Sequence, residues 1–282
     1  MRTITGLRVG WGDLTFSVDP SWVRPRDDFV LGAVTSIASS PDGRMYVCHR
    51  REPMVLVLDA SGSVTGSLGE GVVVDPHGVT VDSKGNVYVA DRDRHVVAVF
   101  AADGRPLREL GTKDQAAPEA PFNHPADIAV AADGTTFVAD GYGNSRVHVF
   151  SADGRHINGW GEPGRGPGQF RVPHGIAVDS RRRVYVADRE NDRVQVFASE
   201  GKLLDIWDGF KGPTDVCVDG RGRVLVSDHV PTVSMLDAGG HVLVKIRAYH
   251  DTHGLCCDSA GNIFVASTAG SCVIKYALVS TA

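Results

Sequence analysis

Cysteine is scarce in this sequence. There are five, Cys48, Cys217, Cys256, Cys257 and Cys272. The number is odd and no CxxC spacing occurs, so a disulfide framework is not expected and a reducing compartment is. Each lies within or beside an apolar strand pattern, where a thiol behaves as a small buried hydrophobe. Excess positive charge is missing too: 29 Lys and Arg stand against 34 Asp and Glu, for a net charge of -5. That field does not favour a nucleic-acid partner. The short basic run Arg181–Arg183 falls in an expected hairpin turn, where solvation explains it. No apolar run approaches a membrane span, and "MRTITGLRVGWGDLTF" has no core of signal-peptide length. A cytoplasmic protein without membrane association is expected.

Turn formers, by contrast, are plentiful. The 282 residues include 33 glycines and 14 prolines at 42% hydrophobic content, which suits an all-β chain with many turns. Segments 82–104, 131–154 and 179–201 repeat one unit: a strand, a turn, a strand ending in Ala-Asp, a loop, a third strand and another turn. The alternation in "NVYVAD" and "RVQVF" has period two. The turn residue before the second strand fixes the register at Gly43, Gly85, Gly134, Arg182, Gly222 and Gly261, with intervals of 42, 49, 48, 40 and 39. Six such units predict a six-bladed β-propeller of NHL-type repeats, one domain over residues 1–282. The last unit shows only three strands, so the N-terminal "LTFSV" (14–18) is expected to supply the fourth and close the ring.

The unit carries a second pattern. "VDPHGVTVDS" (74–83), "RVPHGIAVDS" (171–180) and "DTHGLCCDSA" (251–260) each place His-Gly ahead of Asp-Ser. Eight residues before each turn residue stand Thr35, His77, Ala126, His174, Thr214 and His253. The first strand of each propeller blade lines the central channel, so these positions form a ring, with every second member about 120° apart. Three imidazoles then converge on the axis, with small residues between them. Three His with an open fourth position is the donor set of a catalytic zinc site. Iron, manganese and nickel are the alternatives as ion, and structural histidines bonded within the channel are the plain alternative to any metal. Seven residues after each turn residue lies a second ring: Arg50, Arg92, Gly141, Arg189, His229 and Thr268. Its arginines suit a bound carboxylate; salt bridges to Asp91 or Asp188 would be the structural explanation. Other histidines have plainer readings: His124 as a loop or rim residue, His49 and His229 as strand-end residues, His95 and His148 as surface residues.

The segment "DGYGNSRVHVFSADGRHINGWGEPGRGPGQFRVPHGIAV", continuing to "VYVADRENDRVQVF", resembles the peptidyl-α-hydroxyglycine α-amidating lyase family. The similarity runs from "FSVDPSW" to the last unit and is tightest over 122–198. The resemblance implies a six-bladed propeller whose axial zinc is held by His77, His174 and His253, the ring already reached from spacing. It implies a lyase that splits the C–N bond of a carbinolamide into an amide and glyoxylate. By its motifs the catalytic tyrosine maps to Tyr142 in "DGYGNSR", and the catalytic arginines to Arg189 in "ADREN" and Arg50 in the "HR" pair. The substrate would be a small or peptide-like molecule bearing a carboxylate. Two features depart from the family. Its structural calcium uses two backbone carbonyls, here at Ile37 and Val79, and an Asp after the third zinc histidine; that residue is Gly254, which counts against calcium. Its secreted members carry disulfides where this chain has Gly143, Tyr185 and Val196. The resemblance leaves two other functions open: another metal-dependent lyase, hydratase or hydrolase at the same axial site, or a non-catalytic binding scaffold.

Overall fold

A computed structural model describes residues 6–24 and 29–279. Within them the chain forms six antiparallel sheets, five of four strands and one of five, and a single-turn 3₁₀ helix at Arg189–Asn191. No helix there is long and apolar enough to cross a membrane. The innermost strands are Val34–Ser39, Pro76–Val81, Asp127–Val130, Pro173–Val178, Pro213–Val218 and Gly254–Cys257. Each pairs outward with the next strand in sequence, which is the blade of a propeller.

Period-two alternation explains the packing. Adjacent residues of a strand point to opposite faces, and each blade has a neighbour on both. A strand such as Val87–Asp91 is therefore buried along its whole length. One hydrophobic cluster fills each of the six junctions between neighbouring blades. Trp160 belongs to this packing, against Phe137 of its own blade and Phe197 of the next.

Two repeated aspartates hold the turns and loops. Asp82 Oδ1 accepts the N–H groups of Lys84 and Asn86 at 2.9 and 2.8 Å, and Gly85 sits at φ 84°. Asp179 does the same for Arg181 and Arg183, which holds Arg182 at φ 64° although it has a side chain. The aspartates that end the second strands work at the opposite face. Asp91, Asp140 and Asp188 are fully buried and accept N–H groups from the loops that enter their blades, at Val74 and Asp75, Asn123 and Arg171 respectively. They set the rim above the channel.

The ring closes as the sequence predicts. Leu14–Asp19 pairs with Cys272–Leu278, matching Phe16 to Leu278 and Val18 to Tyr276. A further strand, Arg8–Trp11, pairs outside it. That strand carries no clear sequence signal, because "RVGW" is short and mostly exposed.

Candidate metal centre

His77, His174 and His253 converge on the axis. One ring nitrogen from each lies within 4.8 Å of the others, and the ring centroids are 4.8–4.9 Å apart. His77 and His174 are the second residues of inner strands, His253 immediately precedes one, and between them stand Thr35, Ala126 and Thr214. The sequence ring is thus the physical ring.

The neighbouring blade fixes each imidazole. Nδ1 of His77 meets the Ala126 carbonyl at 2.8 Å, Nδ1 of His253 meets that of Thr35 at 2.7 Å, and Nδ1 of His174 meets that of Thr214. A carbonyl only accepts, so each Nδ1 carries the proton and each Nε2 presents a lone pair. This is the outer-shell arrangement that orients metal-bound histidines. Burial pushes the pKa of His77 and His174 well below the ordinary imidazole range, reinforced by the other rings of the triad and by nearby arginines. Burial likewise lowers His253 to about 4. All three rings are neutral at neutral pH.

Glycine follows each histidine for a steric reason. A Cβ on Gly175 would lie 2.5 Å from Asp215 Cα, and one on Gly78 would lie 2.6 Å from Asp127 Oδ1. The strands of adjacent blades approach too closely for a side chain. At the three alternate junctions, Ser36, Asp127 and Asp215 reach across to the blade that follows in the ring. Ser36 Oγ accepts the Val79 N–H, Asp127 accepts that of Ile176 and Asp215 that of Leu255, each two residues past a histidine. The carboxyls of Asp127 and Asp215 line a channel cavity of about 270 Å³ below the triad. Burial raises both, Asp127 to about 7. The sequence reading missed this layer, although the position after each ring member, read as Ser36, Gly78, Asp127, Gly175, Asp215 and Gly254, carries its signal.

Tyr142 covers the triad. Its hydroxyl lies 2.8 Å from His77 Nε2 and 3.0 Å from His174 Nε2, and Arg189 Nη1 donates to it at 3.4 Å. The guanidinium carbons of Arg92 and Arg189 are 5.5 and 5.4 Å from its ring centroid. One phenol proton therefore faces the Nε2 lone pairs of His77 and His174, with that of His253 close by. Such a surplus of neutral acceptors in a buried site fits a cation, and three imidazoles with a hydroxyl alongside suit zinc or a related divalent ion.

The outer positions differ from the sequence reading in several places. Asp91 and Asp188 are not the partners of the ring arginines, because both are engaged by loop N–H groups. Arg50 and Arg92 instead share Asp75, at 3.0 and 2.8 Å, and Arg189 pairs with Glu190 at 3.0 Å. His148 is not a surface residue: it is buried between Phe122, His156 and Asp140. His95 is buried too and meets His124 edge to face with centroids 4.3 Å apart, which leaves His124 outside the triad. His49 is fully buried and accepts the Gly32 N–H. Asn144 ties Asp140 to the loop at Ala117. Cys256 enters the core, whereas Cys257 faces Cys217 with the thiols 3.7 Å apart.

The NHL repeat family model matches residues 74–100, 122–150 and 170–197. Peptidyl-glycine alpha-amidating monooxygenase B of Xenopus laevis is 34% identical, an alignment covering 94% of this chain and 36% of that protein. The probable peptidyl-alpha-hydroxyglycine alpha-amidating lyase pgal-1 of Caenorhabditis elegans is 37% identical over 60% of this chain and 56% of its own length. NHL repeat-containing protein 3 of Mus musculus is 31% identical over 78% of this chain and 69% of its own length. The chain thus spans about a third of the longer monooxygenase relative.

Proposed function

This chain belongs to the NHL-repeat propellers, as an amidating-lyase-like member, and from that premise we propose that it is a metal-dependent lyase acting on a carbinolamide. The single observation that carries the reading is the triad of neutral imidazoles with Tyr142 against two of their metal-facing nitrogens. A binding platform has no use for such a set.

His77, His174 and His253 would hold the ion, most suitably zinc. When bound, it supplies Lewis acidity that eases loss of the substrate's hydroxyl proton. The reaction moves one proton from oxygen to nitrogen. The O–H proton leaves, the oxygen becomes an aldehyde carbonyl, the C–N bond breaks, and the departing amide nitrogen takes a proton. Tyr142, as phenolate, would accept the first proton and, as phenol, return it to nitrogen, so the cycle balances within one side chain. Arg189, in contact with the phenol oxygen, would stabilise the phenolate that begins and ends the cycle. Arg50 stands at the rim, where a substrate carboxylate can be held. A reducing, cytoplasmic setting is part of the proposal and accords with five free thiols.

The test is release of glyoxylate from α-hydroxyhippurate by purified protein, with elemental analysis of the same sample. Metal near one equivalent, turnover abolished by chelation, and recovery with zinc are expected. Full turnover after exhaustive metal removal refutes the reading.

A further inference from the structure

Arg92 has no part in the function proposed above, yet the structure gives it a defined place. It follows the second strand of blade two as Arg50 follows that of blade one, so the two arginines are neighbours on the rim. Asp75 joins them. Its Oδ1 accepts a hydrogen bond from Arg50 Nε at 3.0 Å, and its Oδ2 forms an ion pair with Arg92 Nη2 at 2.8 Å, outside hydrogen-bond geometry. Asp75 is itself pinned: its N–H donates to Asp91 at 3.0 Å, and its carbonyl accepts the Arg92 N–H at 3.0 Å. The fork stands two residues before His77 and beside Tyr142.

Asp75 leaves donors over. Among the described residues, neither terminal nitrogen of Arg50 nor Nη1 of Arg92 has a protein acceptor. Two guanidiniums share a single buried carboxylate, while the second partner of Arg92, Asp93, is exposed and screened by water. Paired, oriented guanidinium edges match a carboxylate, which accepts two parallel hydrogen bonds.

We infer that Arg50 and Arg92, held together by Asp75, form the subsite for the ligand's carboxylate, which leaves Arg189 to the phenol of Tyr142. The inference rests on the lyase reading for the identity of the ligand, an α-substituted carboxylate, but not for the existence of the subsite. Asp75 is a positioning residue, since it acts through the two arginines.

The test separates the two ideas. Binding of hippurate, an unreactive carboxylate, and of its methyl ester is measured by calorimetry on zinc-loaded protein, alongside turnover of α-hydroxyhippurate. Arg92→Ala is expected to weaken hippurate binding about 10–100-fold, the range for a hydrogen bond to a charged group, and to raise KM by a similar factor. The ester should bind wild type and variant alike. Arg92→Lys, which keeps charge but loses the fork, should recover only part of the affinity. Asp75→Asn should weaken hippurate binding without changing ester binding. Hippurate affinity within twofold of wild type in both Arg92 variants overturns the inference, as does a wild type that shows no preference for the acid over the ester. If wild type prefers hippurate and Arg92→Ala abolishes that preference, yet α-hydroxyhippurate is never turned over, the subsite stands and the lyase reading falls.

Discussion

Replacing Tyr142 by Phe removes one oxygen and keeps the ring between Arg92 and Arg189. The structure bounds both consequences. The hydroxyl donates a single hydrogen bond to a neutral acceptor, His77 Nε2, so its loss costs about 0.5–1.5 kcal/mol of stability. The three imidazoles remain fixed by backbone carbonyls that the substitution does not touch, so the metal should stay. If the phenol carries the proton from oxygen to nitrogen, turnover should fall about 10²–10⁴-fold, or about 2.7–5.4 kcal/mol in the barrier. The assay pairs initial rates of glyoxylate release with metal content and a chemical-denaturation midpoint on the same preparation. A variant that keeps its metal and fold but loses at least a hundredfold in rate supports the mechanism. A rate within threefold of wild type refutes it, and so does a loss fully matched by lost metal.

Three further outcomes follow from the geometry. Gly175→Ala puts a Cβ 2.5 Å from the Asp215 backbone and should cost about 1–3 kcal/mol or more; urea unfolding at unchanged stability would contradict the close approach of blades four and five. Phe16→Ala, at a fully buried position of the closing strand, should cost about 3–5 kcal/mol; a loss below 1 kcal/mol would mean that the N-terminal strand does not seal the ring. The third concerns pH. Asp127 ordinarily ionises near 3.8 and is raised to about 7, so the folded state holds its proton longer than the unfolded chain. Its contribution to stability is full below 3.8 and is lost as pH rises towards 7. His253 acts oppositely: lowered from 6.5 to about 4, it favours folding increasingly as pH rises through that interval. Asp127→Asn should remove only the first effect, so the Tm difference between variant and wild type should move in the variant's favour between pH 4 and 8. A difference flat with pH would show that Asp127 titrates normally.

Features that recur with the blade were legible in the sequence. The turn residues, the period-two strands and the alternate histidines repeat at one register, and that register is also the symmetry of the ring. The closing strand was legible because "LTFSV" alternates and the last unit lacked a partner. Features that depend on a single contact between different blades were not legible. Asp75 lies just before a strand and nothing in its spacing marks it as the shared partner of Arg50 and Arg92. Asp91 and Asp188 stand next to ring arginines in sequence, but adjacent residues of a strand end point in opposite directions, so they turn inward to the loops instead. His148 was misread because its strand, third in the blade, is covered by the loop bearing Phe122 and by His156.

The pairing of Leu14–Asp19 with Cys272–Leu278 has a consequence for biosynthesis. The three histidines of the centre are spread from position 77 to position 253, and the strand that completes the last of their blades, Leu14–Asp19, precedes them all in sequence. During translation the donor set is complete only once His253 has emerged, and the final blade waits until Cys272–Leu278 emerges to meet a strand made long before. Such long-range pairing slows folding, and it makes the three-histidine centre a product of ring assembly, which no blade can form by itself.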